Sequence, residues 1–149
     1  MAYRFRFESV LGYRRNLEEL ARQKLTMAQA QLERQQTRLA EISAELVSAI
    51  ASFEERKRRP IPAPLYIMFV DGIERRERDL VVRQQALVAQ QKVVEETRAE
   101  LVGKVRERKI MEKARERDYE EYLREELRKE QAELDEQMVL RFGRHHGGS

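Results

Sequence analysis

The sequence predicts an all-α fold in which two long helices form an antiparallel coiled-coil hairpin, with helix 2 longer than helix 1. Three observations predict it. Apolar residues recur at seven-residue intervals over two long stretches of the 149-residue chain. The composition favours solvated helices, since charged residues make up 38% of the chain and there are only six glycines. All three prolines fall within one short segment, which separates the two stretches.

That segment, Pro60-Ile61-Pro62-Ala63-Pro64, is the one strong break in the helical pattern. Prolines remove backbone donors and push the residue before them out of the α region. We therefore expect helix 1 over about 5–58, a turn over about 59–64 and helix 2 over about 65–141. Together they form a single domain, residues 1–142. The Gly-rich tail, residues 143–149, is expected to be disordered.

The heptad repeat identifies the residues of the predicted seam. Its helix 1 members are Leu25, Leu32, Leu39, Leu46 and Phe53, and its helix 2 members are Tyr66, Ile73, Leu80, Leu87, Val94 and Leu101. Because the turn is short, the helices must run antiparallel, and the favoured register sets Phe53 opposite Ile73. Before Leu25 the apolar spacing changes, through Leu17 and Ala21, which predicts a local unwinding of the supercoil.

Several classes of function are excluded by what the sequence lacks. Without cysteine there can be no disulfide, thiol nucleophile or thiolate metal site. No phosphate loop, nucleophile elbow or dinucleotide fingerprint is present. The two histidines, His145 and His146, are interpreted as part of a solvated end. We therefore expect no enzymatic activity, no cofactor and no metal.

Charge argues against a nucleic-acid partner. The chain has 30 basic and 27 acidic residues, a net charge of +3, and acids dilute each basic run. The run Arg56–Arg59 is explained by the favourable interaction of cations with a helix C-terminus.

No apolar run suggests a signal peptide or a membrane span, so the protein is expected in the cytoplasm.

Apolar residues cluster beside the turn. The heptad assigns Ile73 to the seam, whereas the triplet Ile67-Met68-Phe69 points elsewhere on the helix. An exposed triplet of this kind at the tip of a hairpin indicates a docking surface. The alternative is local packing of the triplet against the connector.

Helix 2 is predicted to continue beyond its partner, because residue 5 of helix 1 reaches only about position 121 in the favoured register. An apolar stripe continues past that point, and unpaired apolar stripes usually mark an interface. Its members are Tyr122, Leu123, Leu127, Leu134, Met138 and Phe142. The alternative is an end that frays or self-associates.

Both ends of the sequence carry a family resemblance. The segment Tyr3-Arg-Phe-Arg-Phe-Glu-Ser-Val-Leu-Gly-Tyr-Arg-Arg15, followed by Glu18-Glu-Leu-Ala21, resembles the opening of FliJ-family sequences. The segment Lys129-Glu-Gln-Ala-Glu-Leu-Asp-Glu136, leading to Arg141-Phe142, resembles the family's ending. Length and hairpin layout also agree, whereas the Pro-Ile-Pro-Ala-Pro connector departs from the family.

The resemblance implies a non-catalytic stalk or adaptor of the flagellar type III protein export apparatus. Family members are similar in fold to the two-helix stalk of the rotary ATPase γ subunit. The resemblance implies that the terminal end enters the hexameric ring of the export ATPase, and that the protein contacts the cytoplasmic domain of the export-gate membrane protein. Some family members bind export chaperones. Association with the inner membrane is expected only through these partners.

The resemblance also assigns candidate residues. The gate contact falls on Phe69, Ile73 and Leu80, beside the exposed patch of Ile67 and Met68. The ATPase contact is expected at the free ends, on Arg4, Arg6, Arg14, Arg15, Tyr119, Tyr122, Leu123, Leu127, Leu134 and Met138. Two other functions stay open: a coiled-coil scaffold or assembly adaptor with no link to an ATPase, and an RNA-binding helical hairpin whose affinity falls steeply with salt.

Overall fold

A computed structural model describes residues 2–146 of the chain, with the backbone alone for 145 and 146. Two helices, α1 (Glu8–Arg56) and α2 (Ala63–His146), account for 92% of the structure. No strand occurs among the described residues. The predicted all-α fold of two packed antiparallel helices, the second longer than the first, is confirmed.

The helix bounds differ from the predicted ones at all four ends, by only two residues at the end of α1, which is Arg56. α1 begins at Glu8, because residues 2–7 form a non-helical segment where a helix from about residue 5 was expected. α2 begins at Ala63, which places Pro64 in the first turn, where a missing N–H is tolerated. α2 also continues to His146, so it includes residues 143–146 of the tail for which the sequence analysis expected disorder. Residues 147–149 of that tail lie outside the described residues.

The chain divides into two compact units. The turn unit is Glu19–Gly103. Its seam contains most of the predicted heptad positions. Phe53 and Val94 are buried, as are Ala28 and Ile42, three residues after Leu25 and Leu39, whereas the predicted seam member Tyr66 is 48% exposed. The half-buried positions are Leu25, Leu32, Leu39, Leu46, Ile73, Leu80, Leu87 and Leu101. Antiparallel packing is visible at both limits of the unit. Phe53 contacts Phe69 next to the connector, and Lys24 Nζ lies 3.5 Å from Glu100 Oε1 at the far limit.

The Phe53 ring contacts two aromatic side chains of α2 near the connector. The Phe53 ring stacks on Phe69 with a centroid distance of 5.2 Å and contacts Tyr66 at 5.4 Å. Phe69 lies one helical turn closer to the connector than Ile73, the residue that the favoured register sets opposite Phe53. Aromatic rings gain from stacking on each other, which favours this layer.

The ends unit is Met1–Glu18 with Lys104–Ser149, of which the structure describes 2–18 and 104–146. Leu11 is fully buried, and Phe5 and Glu18 are 6% and 5% exposed. Antiparallel contacts hold this unit together: Arg14 Nη1 donates to the Glu107 carbonyl oxygen at 2.9 Å, and Glu8 Oε2 lies 3.3 Å from Arg115 Nε.

The local unwinding expected before Leu25 is absent from the burial pattern. The buried positions here are Leu11, Glu18, Ala21 and Ala28, which are spaced by seven, three and seven residues as in a heptad repeat, while Leu17 and Leu25 are half-buried. The prediction was wrong because it assigned only apolar residues to the seam, and so chose Leu17 over the neighbouring Glu18. The heptad continues through Glu18, whose charge has a partner in α2.

Alanine substitutions at a buried and at an exposed isoleucine of α1 compare the contributions of the seam and of the outer surface to stability. Ile42→Ala should lower the free energy of unfolding by about 2–4 kcal/mol, because it empties a position that is 1% exposed. Ile50→Ala is the matched control: the same substitution in α1, at a side chain 40% exposed, should cost less than about 1 kcal/mol. Urea unfolding followed by helical circular dichroism measures both. Equal losses would contradict the seam described for the turn unit.

Candidate interaction surfaces

The N-terminal segment of the ends unit is fixed to α2 by aromatic contacts. The Tyr3 ring lies 4.9 Å from that of Tyr119 and 5.2 Å from that of Tyr122, and its hydroxyl donates to Asp118 Oδ2 at 2.8 Å. We name Tyr3, Tyr119 and Tyr122 the aromatic clasp. Burial of the Tyr3 hydroxyl, and then its hydrogen bond to the Asp118 carboxylate, raise the pKa of Tyr3 from 10.0 to about 12. The hydroxyl therefore stays protonated over the physiological range.

An ionic cluster lies next in the same unit. Arg108 Nε donates to the Glu18 carboxylate, and Arg108 Nη1 donates to Glu112 Oε2 at 2.8 Å. Arg15 Nη2 contacts the other oxygen of Glu112 at 3.4 Å. The hydrogen bond to Glu18 raises the pKa of Arg108 further, so the guanidinium stays charged. Glu18 is buried at a seam position, and the cluster compensates its charge.

The four arginines predicted to contact the ATPase fall into two pairs. Arg14 and Arg15 are held against α2, the first by the Glu107 carbonyl oxygen and the second by Glu112. Arg4 and Arg6 are exposed, and the Arg6 guanidinium lies over the Phe7 ring at 5.3 Å. Arg15 is exposed as well, so Arg14 is the one of the four that is half-buried.

α2 continues past the aromatic clasp. Leu123, Leu127, Leu134 and Met138 are 44%, 64%, 57% and 69% exposed, and we name these four residues the overhang stripe. Tyr119 and Tyr122, which were predicted to belong to the same surface, both pack against Tyr3, and Tyr119 remains 44% exposed. The sequence therefore identified the overhang, whose exposed apolar side chains continue from Leu123 beyond the aromatic clasp.

The turn unit has an open groove of about 760 Å³ beside the connector, which we name the turn groove. Small side chains on α1 form one wall and larger ones on α2 form the other. The wall residues are Ala44, Ser48, Ala49 and Ser52 on α1, and Leu65, Met68, Phe69 and Gly72 on α2. Charged groups border it: Glu41 and Glu45 on α1, and Arg76, whose Nη1 donates to the Gly72 carbonyl oxygen at 3.1 Å. An apolar groove with charged borders suits a helix or an extended segment of a partner.

The five residues predicted for the gate contact separate into two groups. Ile67 and Met68 are exposed, at 56% and 70%. Phe69, Ile73 and Leu80 are half-buried, and Phe69 stacks on the buried Phe53. The prediction that Phe69 points away from the seam was therefore wrong. Its ring packs in the seam and also lines the turn groove, so a change at Phe69 affects stability as well as the surface.

Two features were missed by the sequence analysis. The first is the ionic layer of Glu18 and Arg108. A signal for it existed, since one step of seven before Leu25 gives Glu18 and one step after Leu101 gives Arg108. The second is the α1 wall of the turn groove, where small residues are prominent only once α2 lies beside them.

Neither a metal site nor a membrane span is found in the part of the chain that the structure describes. Within that part, no three His, Cys, Asp or Glu side chains come together as metal ligands. No described helix is long and apolar enough to cross a membrane.

Comparison with known proteins gives the family. The sequence model of the family described as "Flagellar FliJ protein" matches residues 3–147, nearly the whole chain. The chain belongs to the FliJ family. Membership makes it a component of the flagellar type III export apparatus, and the resemblance stated from its two ends is confirmed.

A solved structure supports the fold of this FliJ-family chain. A protein of Chlamydia trachomatis, described as a YscO homologue, matches with a TM-score of 0.63 at 18% sequence identity. The match covers 99% of this chain and 100% of that one. At this identity the likeness concerns the fold alone. No curated protein matches the chain.

The raised pKa of Tyr3 predicts a pH window for the aromatic clasp. Because the folded pKa exceeds the unfolded one, the contribution of Tyr3 to stability is complete below pH 10.0 and is lost as pH rises towards about 12. The difference between the tyrosinate absorbance titrations of the unaltered chain and of Tyr3→Phe isolates this residue. Its midpoint should lie near 12 and should fall in Asp118→Asn. A midpoint near 10.0 would contradict the buried hydrogen bond.

Proposed function

We propose that this FliJ-family chain is a non-catalytic adaptor that links the ring of the export ATPase to the export gate on the cytoplasmic side of the inner membrane. The observation that carries the proposal is that the chain leaves apolar surface uncovered in two different places. One is the overhang stripe in the ends unit, and the other is the turn groove in the turn unit. An adaptor requires two such surfaces, one for each partner.

The ATPase contact is assigned to the overhang. The overhang stripe lies on α2 beyond the aromatic clasp, where the N-terminal segment no longer packs against the helix. The apolar side chains are therefore presented by a single helix. A ring with a central opening can surround such a helix end and cover the stripe. The exposed Arg4 and Arg6 lie in the same unit and supply basic groups for the rim of the opening.

The gate contact is assigned to the turn groove. Met68 and Phe69, two of the residues predicted for the gate, line it, and Glu41, Glu45 and Arg76 give its borders charges that can orient a bound segment. Ile73 and Leu80, also predicted for the gate, are half-buried and do not line the groove. Export chaperones are further candidate partners. Membrane association would arise only through the gate.

Removing the overhang should reduce the effect on the ATPase without unfolding the rest of the chain. A chain truncated after Tyr122 keeps Asp118 and the aromatic clasp but loses the overhang stripe. Its helical melting should remain close to that of the full chain, while stimulation of ATP hydrolysis by the purified export ATPase should fall by about tenfold or more, as expected when a central apolar contact is lost.

Truncation after Phe142 is the control, because it retains the stripe and should retain stimulation. If the chain ending at Tyr122 stimulates the ATPase fully, the overhang is not the contact. If it unfolds, the overhang supports the fold in a way that the described contacts do not account for.

A pair of substitutions in the turn unit tests the gate contact. Met68→Asp places a charge in the turn groove and should weaken binding to the cytoplasmic domain of the gate by about tenfold, a magnitude typical of a disturbed interface residue. Ile67→Asp changes the next residue, which is also exposed but does not line the groove, and should leave affinity within about twofold. Calorimetric titration measures both. Equal weakening would show that the groove has no special role.

A further inference from the structure

The net charge of α2 changes from positive to negative at the aromatic clasp. Residues 104–118 contain seven bases and four acids, and residues 2–18, which pack against them, contain four bases and two acids. Residues 119–136 contain eight acids and three bases, a net charge of −5. The paired part of the ends unit is thus basic, and the overhang that leaves it is acidic.

The overhang stripe forms a nearly straight line along the helix. Leu123 and Leu134 are eleven residues apart, and so are Leu127 and Met138. An eleven-residue step spans three helical turns at about 3.67 residues per turn, close to the period of the helix itself. The four side chains therefore occupy one face without drifting around it, and all four are exposed.

Acidic side chains outnumber basic ones at the borders of this face, where Arg124, three residues before Leu127, and Arg141, three residues after Met138, are the bases. Glu120 lies three residues before Leu123, Glu130 lies between Leu127 and Leu134 on the same face, and Asp135 lies three residues before Met138. We name Glu120, Glu130 and Asp135 the margin acids, and each of them is exposed. The opposite face carries Glu121, Glu125 and Glu136, also exposed, at positions that do not border the stripe.

We propose that the overhang is bound by a protein surface that is apolar at its centre and carries lysine or arginine side chains at its margins. The charge complementarity of the margin acids selects this occupant over an acidic or uncharged one. This inference rests on the proposed function, in which the occupant is the inner surface of the export ATPase ring. It adds the chemistry of that surface: basic where it surrounds residues 119–136, in contrast to the acidic rim that would meet Arg4 and Arg6.

Two full-length variants with the same change in net charge test the inference. The margin variant carries Glu120→Gln, Glu130→Gln and Asp135→Asn. The opposite-face variant carries Glu121→Gln, Glu125→Gln and Glu136→Gln. The affinity of each for the purified export ATPase hexamer is measured at low and at raised salt, with circular dichroism as the check on folding.

The margin variant should bind about tenfold more weakly than the unaltered chain, as expected for three charge contacts at an interface, and its affinity should depend less on salt. The opposite-face variant should bind within about twofold of the unaltered chain. Equal weakening by both variants would show that affinity depends only on the net charge of the overhang. No weakening by either variant would show that the margin acids do not contribute to binding. Either result overturns the inference and leaves the proposed function in place.

Two further results have separate meanings. If the unaltered chain does not bind the hexamer, the proposed function fails, and the inference fails with it. If light scattering shows a dimer that becomes a monomer in Leu127→Asp, a second copy of this chain covers the overhang stripe. That outcome also overturns the inference, because a second copy would bring its own acidic margins to the same face.

Discussion

The contact between α1 and α2 is a single heptad stripe, and most other features of the molecule depend on how narrow it is. Among the described residues, the buried apolar side chains are Phe5, Leu11, Ala21, Ala28, Ile42, Phe53 and Val94. Two helices cannot enclose a wider core, so each layer contributes little and the stability accumulates along the length of the seam. The same narrowness leaves many large apolar side chains exposed, which makes them available to partners.

Polar groups in so narrow a seam have a large influence on which register the two helices adopt. The Oε1 atom of Gln35 is buried without a hydrogen-bond partner, and Gln90 Nε2 donates to the Ala28 carbonyl oxygen at 3.0 Å. Leucine layers tolerate a slip of one heptad, since they would again meet leucines. The contact of Glu18 with Arg108 does not tolerate it, because a slipped register would bury a carboxylate without its guanidinium. In the ends unit, this ionic layer therefore discriminates between registers in a way that leucines cannot.

The candidate surfaces lie where the seam cannot cover apolar side chains. Past the aromatic clasp α2 has no α1 residues opposite it, so the overhang stripe is exposed. Beside the connector, the pairing of Phe53 with Phe69 brings large α2 side chains next to small α1 side chains, and the mismatch in size leaves the turn groove. Both surfaces are consequences of the same pairing that holds the helices together, and neither requires a separate binding domain.

The sequence by itself determined the two helices, the proline connector, the heptad seam and the existence of the overhang, because these depend on periodicity and on local backbone chemistry. It did not determine the path of residues 2–7. Their aromatic side chains find partners more than a hundred positions away, as Tyr3 does with Tyr119, and these contacts compete successfully with a helical start. The stacking of Phe53 on Phe69 likewise depends on tertiary packing, since the heptad pattern gave no sign that Phe69 faces α1. Local pattern gives each helix its apolar face, but only the packed pair decides which side chains fill that face and which remain exposed.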